Sequence, residues 1–83
     1  MTKKEIITKI NFFLSEEFEI DENMIVPDAV LRDTLDLDSL DYVDLVVIIE
    51  SNFSFKVQQN DFQNIITFQN LYDYVLAREK HDD

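Results

Sequence analysis

The chain contains no cysteine and no glycine, and only one proline, Pro27. Without cysteine there are no disulfides and no thiolate metal ligands, so any thiol the protein works with must be supplied from outside. Without glycine, tight hairpins lose the residue that most readily takes positive φ at their turns, and the composition favours helices over sheet. Basic residues are scarce: seven Lys and Arg face eighteen Asp and Glu, for a formal net charge of −11. A surface of that sign repels phosphate backbones and anionic lipid headgroups, which makes nucleic acid and membrane surfaces poor partners. A basic patch on another protein is attracted and steered instead. No apolar run approaches the roughly 20 residues of a membrane span. The opening Met1-Thr2-Lys3-Lys4-Glu5 leads into an amphipathic stretch and not into the apolar segment of a signal peptide. The expectation is a soluble, cytoplasmic monomer.

Hydrophobic residues make up 46% of the 83 positions, enough for the modest core of one domain spanning residues 1–83. Thr2 and Glu5 have capping-box spacing, and Ile6, Ile10, Phe13, Leu14 and Phe18 recur at helical intervals, predicting a first helix from Thr2 to about Phe18. Asn11, Glu16 and Glu17 fall mostly on its outer side. A long connection, Glu19 to Leu37, carries spaced apolar residues, among them Ile20, Met24, Ile25 and Leu31, expected to pin it across the core. A short helical turn is expected near Val30–Leu35. Asp38 is a good N-cap for a second helix from Ser39 to about Asn52, with Asp41 and Asp44 complementing the dipole of its early turns. A short third helix is expected from about Asn60 to Ile65. A last helix follows Thr67, with Arg78 and Lys80 near its C-terminal end and His81-Asp82-Asp83 as a frayed tail.

The second helix has one apolar face too many. Tyr42, Leu45, Val46, Ile49 and Phe53 suit the core, while Leu40, Val43 and Val47 form a separate stripe at i, i+3, i+7. Asp36, Asp41, Asp44 and Glu50 lie around that second stripe. An exposed apolar strip fringed with carboxylates suits a partner with a basic rim. Ser39 heads the same helix, where free N–H groups and the positive dipole end favour an anion.

Asp38-Ser39-Leu40, with Leu35 before it and Val43, Asp44, Leu45, Val46 and Glu50 after it, resembles the phosphopantetheine-attachment motif of acyl carrier proteins. The order of elements and the Thr67 … Asp73-Tyr74-Val75 pattern resemble the same family, so the likeness spans nearly the whole chain. It implies an all-α, small four-helix bundle with a long first loop and a short third helix. It also implies that a phosphopantetheinyl transferase moves 4'-phosphopantetheine from coenzyme A onto Ser39, with Asp38 helping to orient that assembly. The arm's thiol would carry an acyl group as a thioester to partner enzymes of fatty-acid, polyketide or related biosynthesis. Leu40, Asp41, Val43, Asp44, Val47 and Glu50 match the partner-facing side, with Asp36 beside them, and Phe62 and Ile65 fall at the mouth of the acyl cavity. Magnesium belongs to the transfer reaction and not to a stable metal site here.

The chain departs from the family pattern at several points. Asp36 stands where many members have glycine and is followed by a bulky Leu37. Ser51 and Asn52 replace acids, Gln58 replaces proline, and the third helix is less acidic. These changes suit a dedicated pathway with its own partners. A D-alanyl carrier, or a carrier-like module that is never modified, remains an alternative. Peptidyl carriers usually have two glycines shortly before the serine, and this chain has no glycine. An EF-hand reading fails because its sixth position is Asp41 and its twelfth Val47. Catalysis by Ser39 would need a base, and the only histidine is His81.

Overall fold

A computed structural model describes residues 1–79. It comprises α1 (Lys3–Phe18), a 3-10 turn (Glu22–Met24), α2 (Leu31–Leu35), α3 (Ser39–Asn52), a 3-10 helix (Gln59–Asn64) and α4 (Phe68–Arg78). The described residues contain no strand, and an isolated antiparallel bridge joins Val30 to Thr67. The all-α expectation holds. Lys80 and the expected tail His81-Asp82-Asp83 lie outside the described residues.

Three helices start on reciprocal side-chain caps. Thr2 Oγ1 accepts from the Glu5 amide at 3.1 Å while Glu5 Oε1 accepts from the Thr2 amide at 2.8 Å. Asp38 and Asp41 form the same arrangement at α3, and Thr67 and Asn70 at α4. Such boxes satisfy backbone donors that have no partner inside the helix. From α1, Ile10 and Leu14 enter one core with Leu45 and Ile49 of α3 and Leu71 and Val75 of α4, all fully buried. Burial of each side chain of this size contributes about 1.5–3 kcal/mol. Asn11, expected on the outer side of α1, is half-buried instead and accepts a hydrogen bond from the Tyr72 hydroxyl at 2.5 Å, joining α1 to α4. Lys9 joins α1 to α3: its Nζ donates to the Asn52 carbonyl at 3.0 Å and sits 5.2 Å from the Phe53 ring centroid.

The long connection is tied down at its far end. Gln69 and Phe68 amides donate to the Pro27 and Ala29 carbonyls at 3.0 and 3.2 Å, and the Leu31 amide donates to the Ile66 carbonyl at 2.8 Å. These bonds dock the approach to α2 against the start of α4, while Ile25, Leu31, Leu35 and Leu37 bury their side chains. Met24 does not serve as an anchor: it is 59% exposed on the short 3-10 turn, which presents no buried face. The third helical segment also differs from expectation. It is a 3-10 helix starting at Gln59, closed by i→i+3 bonds, and Ile65 is its buried C-terminal cap. Short segments favour this tighter winding.

Two acids occupy left-handed backbone where glycine is the usual residue: Glu19, capping α1 at φ 55°, and Asp36, capping α2 at φ 54°. The absence of glycine is therefore met by strained caps and not by avoidance of the conformation. Glu lacks the short side chain with which Asp eases that strain. Glu19→Gly should therefore raise unfolding free energy by about 0.5–1 kcal/mol. Glu19→Ala, which keeps Cβ, should give no comparable gain. Urea unfolding of the two variants checks this, and an equal effect of both would remove the backbone explanation.

Candidate functional site

Ser39 is the first residue of α3, and it is exposed. The cap is made by the residue before it: Asp38 Oδ1 accepts from the Leu40 and Asp41 amides at 2.9 and 3.0 Å. Asp41 Oδ2 accepts from the Asp38 amide at 3.1 Å in return. Ser39 is therefore not the capping residue, and its side chain stands at the positive end of a 14-residue helix.

A cleft of about 500 Å³ opens beside it, lined by Ser39, Tyr42, Phe62 and Ile65 among others. Phe62 and Ile65, from the third helical segment, thus border the same space as Ser39. Tyr42 was expected only in the core stripe. One turn after Ser39 it is half-buried, lines the cleft and packs on Phe62 with ring centroids 5.8 Å apart. Its hydroxyl in a stripe otherwise made of hydrocarbon side chains was the signal available in the sequence.

The wall carrying Phe62 is held to α4 by a cluster that the residue pattern did not reveal. The Tyr74 hydroxyl donates to Asp61 Oδ2 at 2.7 Å. Arg78 donates from Nη1 to the Tyr74 carbonyl at 3.2 Å and places its guanidinium carbon 3.8 Å from the Tyr74 ring centroid. Its Nη2 lies 4.0 Å from Asp61 Oδ2. Burial pushes the Tyr74 phenol up to about 12, and its hydrogen bond to Asp61 acts in the same direction while Arg78 opposes both.

On the other side of α3, Leu40, Val43 and Val47 are 76%, 47% and 56% exposed. The helix therefore keeps its second apolar stripe in solvent. The carboxylates around it divide into two groups. Asp36 and Asp44 are exposed. Asp41 is engaged in the cap, and Glu50 Oε2 accepts from the Val57 amide at 2.8 Å, tethering the segment after α3. Val47 also borders a groove between α1 and α3 that includes Phe12, an exposed aromatic that the helical stripe of α1 left out. No helix among the described residues is long and apolar enough to cross a membrane.

A family model described as "Phosphopantetheine attachment site" matches residues 12–75. The acyl carrier protein of Thermotoga maritima is 38% identical over 74 residues, which cover 89% of this chain and 91% of that protein. The acyl carrier protein of Lactobacillus johnsonii is 33% identical over 79 residues, covering 95% and 99%. That of Petrotoga mobilis is 31% identical over 83 residues, covering 100% and 98%.

The Tyr74 phenol has a folded pKa of about 12 against an ordinary value of 10.0. Its raised value means that its stabilising contribution is complete below the unfolded pKa and is lost as pH rises through the folded one. Urea unfolding followed from about pH 9 to pH 12 should show a shallower loss of stability for Tyr74→Phe than for the unaltered chain. Identical slopes would show that the phenol is not held by this cluster.

Proposed function

The chain belongs to the acyl carrier protein family, and on that premise we propose that Ser39 takes up 4'-phosphopantetheine from coenzyme A through a phosphopantetheinyl transferase. Its role is that of a carrier and not a catalyst. The observation that carries the reading is the exposed Ser39 hydroxyl at the head of α3, beside a cleft of about 500 Å³. The residues fit the group. The serine is free of capping duty, the early amides of α3 favour an attached phosphodiester, and Tyr42, Phe62 and Ile65 offer an apolar lining next to it. When bound, the group supplies the thiol that this chain lacks and on which an acyl cargo is held.

The chain's own residues position and present. Asp38 and Asp41 hold the first turn of α3, which keeps Ser39 at the helix end and turned out for the transferase. We assign Asp38 a part in orienting the incoming coenzyme A. Phe62 and Ile65 form the mouth through which an acyl group reaches the interior. Leu40, Val43 and Val47 form the apolar centre of the docking face, with Asp36 and Asp44 as its exposed acidic rim and Asp41 and Glu50 behind it. Basic patches on biosynthetic enzymes complement this rim and are steered by the net charge of −11. We place the protein in the cytoplasm, as a monomer.

Incubation with coenzyme A, magnesium and a broad-specificity transferase should add the mass of one phosphopantetheine to the intact chain, and Ser39→Ala should gain nothing. Absence of the gain with several transferases would leave the chain as an unmodified interaction module. Val43→Lys should lower the kcat/KM of loading by roughly tenfold or more, the effect of losing one central interface contact. Its melting temperature should stay close to that of the unaltered chain, because the side chain is exposed. Unchanged loading kinetics would take Val43 out of the docking face.

A further inference from the structure

Among the described residues lining the cleft at Ser39, Arg32 is the one that carries a charge, and the charge is positive. In a chain with eighteen acids and seven bases this placement runs against the composition. Two of the other cations have partners that explain them. Lys9 is engaged by the Asn52 carbonyl and the Phe53 ring, and Arg78 by Tyr74 and Asp61. Arg32 has only a loose contact of this kind: its Nε lies 3.9 Å from Asp33 Oδ1, between side chains 68% and 74% exposed. An exposed pair of that length contributes little, so the guanidinium retains its capacity for an anion.

The backbone at Arg32 is held firmly. Its carbonyl accepts from the Asp36 amide and from the Leu37 amide at 3.0 Å, and the preceding Leu31 amide is bound to the Ile66 carbonyl at 2.8 Å. Arg32 is thus rooted between the start of α4 and the turn that leads into α3. Its neighbours around the cleft include Gln59, Asn60 and Gln63. A cleft for hydrocarbon alone gains nothing from a guanidinium and three carboxamide residues at its edge. An anion brought to that mouth gains charge-assisted hydrogen bonds from the guanidinium.

We propose that Arg32 is the anion-binding residue of the Ser39 cleft, taking an anionic oxygen group delivered there on the arm attached to Ser39. The proposal rests on the carrier reading. Two sources share this chemistry: the phosphodiester of the arm itself, and a carboxylate at the end of an acid-terminated cargo.

The full chain, its Arg32→Gln variant and its Arg32→Lys variant are each loaded by a broad-specificity transferase from coenzyme A, acetyl-coenzyme A or malonyl-coenzyme A. Intact mass verifies each product, so a failure of the carrier reading is seen before Arg32 is tested. At low salt, loading should shift the melting temperature of the unaltered chain upward relative to Arg32→Gln by about 2–5 °C. Arg32→Lys should keep part of that difference, and added salt should shrink it. A difference common to all three loaded forms identifies the phosphodiester, whereas one confined to the malonyl form identifies a cargo carboxylate. The proposal is overturned if loading shifts Arg32→Gln as it shifts the unaltered chain in every form. It is equally overturned if the whole deficit is already present in the unloaded variant, which marks a purely structural role.

Discussion

The reciprocal hydrogen bonds between Asp38 and Asp41 fix the first turn of α3, and with it the direction of every side chain along that helix. Because residues advance about 100° each around a helix, fixing the first turn sets the phase of the rest. With Ser39 in first position, Leu45 and Ile49 point into the core and Leu40, Val43 and Val47 point away from it. Tyr42 falls between, on the cleft. Turning the helix by one position, about 100°, would move the attachment candidate, the cleft aromatic and the exposed stripe together. Asp38 also relieves Ser39 of the capping task, which leaves a serine at a helix start with a side chain available for other chemistry.

What could be seen in the residue pattern was what depends on neighbours in the chain. Thr2 with Glu5, Asp38 before Ser39, and Thr67 before α4 all act within one turn, and each predicted cap is present. The two apolar stripes of α3 are likewise a matter of spacing. The features that escaped depend on partners far along the chain. Asp61 meets Tyr74 across thirteen positions, Asn11 meets Tyr72 across sixty-one, and Lys9 meets Asn52 across forty-three. No local pattern announces which Asn or Lys will find such a partner. The third helical segment escaped in part for a different reason: six residues give too few turns for apolar spacing to separate a 3-10 winding from an α-helix.

The acidic composition is similarly more differentiated in three dimensions than a net charge suggests. Glu5 and Asp41 satisfy backbone amides at helix starts, Glu50 satisfies the Val57 amide, and Asp61 takes the Tyr74 hydroxyl. These carboxylates are committed to holding the fold. Asp36 and Asp44, near the outer stripe of α3, are exposed. The distinction narrows the group of charges able to meet a partner to those whose removal should leave the helix ends intact.

The outer stripe itself is the strongest physical argument that α3 is built to be covered by another protein. In a domain of this size, apolar area is limited, and each fully buried Leu or Val would add about 1.5–3 kcal/mol. Leu40 forgoes most of that gain, and Val43 and Val47 about half of it, by standing in solvent. Scattered exposed apolar residues are common on protein surfaces, but three aligned along one face, starting one residue after Ser39, make a coherent patch. Its position puts any partner that covers the stripe close to Ser39, the proposed attachment residue. In the proposed carrier role, docking and delivery would be coupled by the geometry of a single helix, which would tie recognition to the same first turn that places the serine.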